Sequence, residues 1–370
     1  MKKNYLPYLG IACLAGAAWF GIRFLKIDKT IQNKKPNTNT ERMAHITEAK
    51  PIEVLLLTAL PASGKSEVRR YLSSLSPEEC RNQFGIGHTV QLDDYPYVHI
   101  MRRVSDELIA KGHEGMFFRS IVLPFKDPRD WGTLIHLVNE DYEDLINKNK
   151  PNPKNVAEWL FERIDAARIK VGANPEFKSL SKELRKELAQ KLEGDAKKLL
   201  KDKNAEVVDD LSDKTIVIEF ARGGAHSSTM PLPGPHGYLY SLSELHPDIL
   251  KKASILYIWV APEESRHKNE VRANPNDPGS ILSHKVPLAV MYNDYGCDDI
   301  SWLLETSSVP NTVQIEAHGR VYHLPLGRFD NRSDKTTFLR DEQSKWNNKN
   351  VSELRLTLQE AFVPLSQKNG

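Results

Sequence analysis

Between residues 52 and 72 the chain reads IEVLLLTALPASGKSEVRRYL, and few folds are compatible with that run. An apolar stretch of strand length passes into a loop of Pro, Ala, Ser and Gly. The loop then enters a segment that sets Val68 and Leu72 on one helical face, so strand, loop, helix is expected. ALPASGKS fits the pattern GxxxxGK[S/T] except that Ala59 stands where the first glycine belongs. The pattern has a mechanism. Residues Leu60, Pro61, Ala62, Ser63 and Gly64, with Lys65, Ser66 and Glu67 opening the helix, form a cradle whose amides face phosphate oxygens. The Lys65 ammonium neutralises the outer phosphates, the Ser66 hydroxyl ligates magnesium, and the helix N-terminus adds its dipole.

This segment resembles the P-loop kinases, in the GxPxSGKS/T form typical of polynucleotide kinases and zeta-toxin-like kinases. The match covers Leu60 to Ser66 and departs at Ala59, which keeps open a degenerate, non-catalytic nucleotide binder. The resemblance implies an α/β fold of the P-loop NTPase type: a three-layer sandwich with a parallel sheet and the phosphates at the carboxyl ends of its strands. It also implies ATP and Mg as cofactors.

Residues 88–103, HTVQLDDYPYVHIMRR, place Asp93 and Asp94 at the end of a second strand, before a helix opening near Pro96. Either acid suits a helix N-cap. By resemblance to the DDY of polynucleotide kinases, Asp94 is the carboxylate that orients or takes the proton of an attacking hydroxyl; Asp93 is a substrate-binding candidate and the alternative base. His99, Arg102 and Arg103 follow on the helix, with Arg102 a substrate candidate and a solvated charged face the alternative.

A buried-type strand in TIVIEFARGG (215–224) carries Glu219. In a P-loop protein an acid there holds the magnesium water shell. Arg222 is either a bidentate clamp for a substrate phosphate or the ion-pair partner of Glu219. The Gly-, Pro- and Ser-rich stretch that follows reads as a loop over the substrate side of the cleft. After the apolar run ASILYIWVA (253–261), Arg266, Lys268 and Arg272 sit on a short helix. The resemblance gives Arg266 and Arg272 the role of lid arginines closing over the transferring phosphoryl group. Asp294, Asp298 and Asp299 show no readable pattern.

Residues 5–22 carry no charge and are followed by Arg23, Lys26 and Lys29. They are long enough to cross a bilayer, for which about 17–25 apolar residues suffice. The expectation is an N-terminal transmembrane helix with the body on the cytoplasmic side, against a cleaved signal peptide. If translation starts at Met43, the protein is soluble and cytoplasmic. With 51 Lys and Arg against 49 Asp and Glu, no global field draws in a polyanion, which counts against long nucleic acid as a partner. Cys13, Cys80 and Cys297 have no metal or disulfide spacing, which reads as a reducing compartment.

The expected organisation is an anchor (1–28), a linker (29–50), a first core part (51–128), a helical insertion (129–212), a second core part with the lid (213–330) and a C-terminal tail with an amphipathic helix (331–370). Helices are expected near 97–111, 131–148 and 155–171. Leu180, Leu184, Leu188, Leu192 and Ala196 form a packing stripe. TVQIEA (312–317) and RVYHLPL (320–326) read as a hairpin and 351–362 as a helix. The functional expectation is a kinase that transfers the γ-phosphoryl group of ATP to a small molecule, nucleoside, nucleotide or polynucleotide end. A membrane-anchored NTP-dependent switch or scaffold is the alternative.

Overall fold

The computed structural model describes residues 51–271 and 285–366. The expected anchor, the linker and Arg272 lie outside the described residues, and no helix among the described residues is long and apolar enough to cross a membrane. The strands are β1 (Val54–Thr58), β2 (His88–Asp93), β3 (Lys214–Phe220), β4 (Ala253–Trp259), β5 (Thr312–Ala317) and β6 (Arg320–Asp330). They form one six-stranded sheet in the order β2-β3-β1-β4-β6-β5. All but β5 run parallel. The first half of β6 makes the expected antiparallel hairpin with β5, and the second half, Leu326 to Asp330, continues past it to pair in parallel with β4.

Among the described residues twelve α-helices accompany the sheet: α1 (Lys65–Ser74), α2 (Pro77–Phe84), α3 (Tyr95–Ala110), α4 (Asp130–Ile146), α5 (Val156–Lys170), α6 (Lys182–Glu206), α7 (Gly237–Ser243), α8 (Pro247–Lys252), α9 (Pro262–Val271), α10 (Leu288–Asn293), α11 (Ile300–Thr306) and α12 (Asn348–Ser366). Strand β1 is buried throughout, and apolar from Val54 to Leu57, because both of its faces are covered. Leu55 and Leu57 meet Val68 and Leu72 of α1 and Leu358 and Phe362 of α12. Val54 and Leu56 turn the other way, toward Ile135 and Val138 of α4, Leu242 of α7 and Ile249 of α8. Each such side chain contributes roughly 1.5–3 kcal/mol when fully buried.

A third core lies among α3, α5 and α6, where Tyr97, Ile100, Val104, Phe161, Leu188, Leu192 and Ala196 are buried together. The spacing-four stripe therefore packs as its pattern predicts. Helix α4 joins this helical stretch to the sheet, since Leu134 and Leu137 face the helices while Ile135 and Val138 face the strands. The outer edge of β2 is also closed by a helix: the Gln91 amide donates to Glu206 Oε2 of α6 at 2.7 Å.

Candidate functional site

The loop between β1 and α1 adopts a conformation that only its own residues permit. Gly64 has φ +102°, and a β-carbon there would come within 2.5 Å of Thr336 Oγ1 and 2.7 Å of Asn331 Nδ2. Ala62 also has positive φ, but Ala59 does not. The backbone at the position of the motif's first glycine is thus one that alanine can adopt. Ala59 is fully buried, its amide donates to Tyr238 Oη at 2.9 Å, and that hydroxyl donates to the Ala59 carbonyl at 3.0 Å. Beneath the loop, Asn331 Nδ2 donates to the Ser63 carbonyl at 2.8 Å and Ser265 Oγ to that of Pro61 at 2.7 Å. Helix α1 begins at Lys65 with no side-chain cap on its first amides, which leaves that end open to an anion. Lys65 Nζ lies 3.4 Å from both the Ala59 and the Leu60 carbonyls.

At the carboxyl ends of β1, β2 and β3 the expected polar residues converge on one cleft. It is lined by Lys65, Ser66, Glu67, Asp93, Asp94 and Glu219. Ser66 Oγ donates to Glu219 Oε1 at 3.0 Å, so a hydroxyl and a carboxylate stand adjacent in the cleft. Among the described residues no group of three or more His, Cys, Asp or Glu is arranged to hold a metal. Magnesium in phosphate sites takes one or two protein carboxylates and completes its shell from phosphate and water, so Ser66 and Glu219 fit that ion together with a nucleotide. Glu67 lines the same cleft, its carboxylate held by Arg340 Nε at 2.6 Å.

Asp93 and Asp94 divide their duties. Asp93 Oδ1 accepts the Tyr95 amide, the first of α3, at 2.8 Å, while Arg69 Nη1 reaches Asp93 Oδ2 at 2.9 Å and Glu219 Oε2 at 3.0 Å. Burial and the nearby Glu219 carboxylate push Asp93 up to about 7 against the pull of Arg69. Asp94 makes a 2.6 Å pair with Arg222 through Oδ2, and among the described residues no hydrogen bond engages its Oδ1. Burial raises Asp94, and Arg222 draws it back.

Arg222 takes neither of the roles expected of it. Its guanidinium is buried and fully committed: to Asp94, to Ser241 Oγ at 2.9 Å, to the Ala221 carbonyl and to the Trp131 carbonyl. It is no open phosphate clamp, and it pairs with Asp94 rather than Glu219. Arg266 lies outside the cleft lining, bound to Glu263 at 2.8 Å with its guanidinium over the Tyr292 ring. Arg102 does line the cleft, stacked 4.0 Å from the Phe118 ring centroid with Nη1 donating to the Ile121 carbonyl at 3.1 Å. Arg103 faces away, paired with Glu107 at 3.0 Å. The stretch 225–236 contributes nothing to the cleft wall and instead leads to Tyr238.

Several residues of the site had no sequence motif. Arg69 follows Ser66 by three positions, the helical spacing that sets both on one face. Tyr238, Asn331 and Thr336 are distant in sequence and carried no signal. Asp294 and Tyr295 also line the cleft. They are brought there by the glycine pair: the Gly224 amide donates to the Cys297 carbonyl at 2.9 Å and the Gly296 amide to that of Gly224 at 2.8 Å. A β-carbon on Gly223 would lie 2.4 Å from the Cys297 carbonyl oxygen. The glycines were the legible clue to a close backbone approach.

No protein-family model matches the chain, and no curated protein sequence matches it either.

Proposed function

We propose that this protein is an ATP- and magnesium-dependent phosphotransferase of the P-loop kinase type, which moves the γ-phosphoryl group to an acceptor hydroxyl or phosphate. One juxtaposition carries the reading. At the ends of adjacent strands β1 and β3, Ser66 meets Glu219 at 3.0 Å, beside the Lys65 side chain and across the same cleft from Asp94. Phosphate cradle, metal ligands and a carboxylate for the acceptor thus share one space.

In this reading the amides from Ala62 to Glu67 and the Lys65 ammonium hold the phosphates, and Ser66 and Glu219 hold the metal. Magnesium, when bound, neutralises charge on the β and γ oxygens. Asp94 accepts the hydroxyl proton as the acceptor attacks. Burial makes its carboxylate a stronger base than an exposed aspartate, and the Arg222 pair fixes its direction. Arg222 is therefore a positioning residue. Arg69, lodged between Asp93 and Glu219, balances two acids that would otherwise repel.

The test is phosphoryl transfer by the full chain from MgATP to pooled nucleosides, sugars, amino alcohols and 5′-hydroxyl oligonucleotides, read as mass-shifted acceptor. Asp94→Asn should retain ATP binding and lose transfer by about 100-fold or more, while Lys65→Ala should weaken ATP binding and lose transfer. Phosphate release by the wild type with no modified acceptor would favour an NTP-dependent switch instead.

A further inference from the structure

The cleft has a second half that phosphate chemistry does not use. Beyond Asp94 its wall is formed by Phe118, Phe125, Trp131, Val290 and Tyr295, an apolar and largely aromatic enclosure. Phe118 stacks on Phe125 at 4.4 Å, Trp131 stands edge-on to Phe125 at 4.9 Å, and Tyr295 stands edge-on to Trp131 at 5.6 Å. In this wall sits Asp294, only 5% exposed. Its Oδ2 is buried without a hydrogen-bond partner, and no ion pair reaches the carboxylate among the described residues. Arg102 is near enough to feel it but is held instead by the Phe118 ring and the Ile121 carbonyl.

A buried carboxylate without a partner is costly, and a ligand that supplies the missing donor recovers that cost on binding. Tyr295 lies within electrostatic reach of both Asp94 and Asp294, and both acids line the one cleft. Of the charged residues lining the cleft, five are acids (Glu67, Asp93, Asp94, Glu219, Asp294) and two are bases (Lys65, Arg102). Lys65 belongs to the phosphate side. An anionic acceptor would meet a lone carboxylate in an apolar wall.

Resting on the phosphotransferase reading, we infer that the acceptor is a small amino alcohol with an apolar or aromatic body: its hydroxyl is directed at Asp94, its ammonium is received by Asp294, and its body lies among Phe118, Trp131 and Tyr295. In the transfer the acceptor oxygen bonds to the γ-phosphorus as the bond to the β,γ-bridging oxygen breaks. ADP leaves with that electron pair, and the hydroxyl proton passes to Asp94. The ammonium is unchanged and serves only to anchor. A site with a buried polar group discriminates strongly against analogues that leave it unpaired.

The experiment offers the full chain three pools with MgATP: aromatic and aliphatic amino alcohols, the same alcohols without the amine, and nucleoside monophosphates. Products should arise in the first pool. On the best acceptor found, Asp294→Asn should raise KM about 10- to 100-fold with kcat changed far less and ATP affinity intact. Products confined to the amine-free or anionic pools would overturn the inference, as would an unchanged KM in Asp294→Asn. Absence of product from every pool, with ATP still bound in a Lys65-dependent way, would overturn it while sparing the nucleotide reading. Failure of the wild type to bind ATP would remove that reading itself.

Discussion

Ala59 illustrates why a motif is better judged by backbone angles than by letters. The first glycine of the pattern is needed where the chain must take positive φ or approach another group closely. Here Ala59 has negative φ and is clamped at both its amide and its carbonyl by one tyrosine hydroxyl. Restoring the motif with Ala59→Gly should therefore cost stability, about 0.4–1 kcal/mol through the freer unfolded chain, and leave ATP affinity unchanged. Thermal unfolding and calorimetric ATP titration check the two halves. Arg222 is the opposite case, a charge whose removal strands another. Arg222→Ala leaves Asp94 buried and unpaired and should destabilise by roughly 3–5 kcal/mol in urea unfolding. Adding Asp94→Asn should recover part of that loss, because the stranded charge is then gone.

At the scale of elements, the segment after β6 is what shapes the loop between β1 and α1, although it lies far downstream in sequence. Asn331 donates to the Ser63 carbonyl and to Thr336 Oγ1, and its own carbonyl accepts from Lys268 Nζ at 3.2 Å. Asn331→Ala should lower stability by about 1–3 kcal/mol and weaken ATP binding, since the loop loses its floor. Unfolding and titration of the same sample separate the effects. The hairpin of 312–326 was legible from alternation, but not the continuation of β6 into the parallel sheet, because Leu326 to Asp330 reads locally as a strand end. Glycine matters here too. Gly327 passes so close to α12 that a β-carbon would fall 1.8 Å from the Ala361 carbonyl oxygen.

Across the whole molecule, the strands with continuous apolar runs and the helices with a clear stripe were readable from sequence because burial on both faces, or on one, writes directly into residue type. The candidate site was legible where its residues are consecutive, as in Leu60 to Glu67 and Asp93–Asp94. It was unreadable where the fold recruits residues across long separations: Tyr238 to Ala59, Asn331 to Ser63, and Asp294 through the backbone contact at Gly224. Arg222 was found as a candidate but with the wrong partner, since sequence proximity suggested Glu219 and the neighbouring strand supplied Asp94. All these contacts serve one arrangement, a sheet whose β3 and β1 lie side by side so that Glu219 stands next to Ser66.

The central claim is that this arrangement holds a nucleoside triphosphate with its metal. Calorimetric titration of the full chain with ATP, with and without magnesium, tests it most directly when Lys65→Ala is measured in parallel. The account predicts saturable binding that magnesium strengthens and that Lys65→Ala weakens by about 10- to 100-fold without loss of fold. Absence of binding, or equal affinity in wild type and variant, would contradict it.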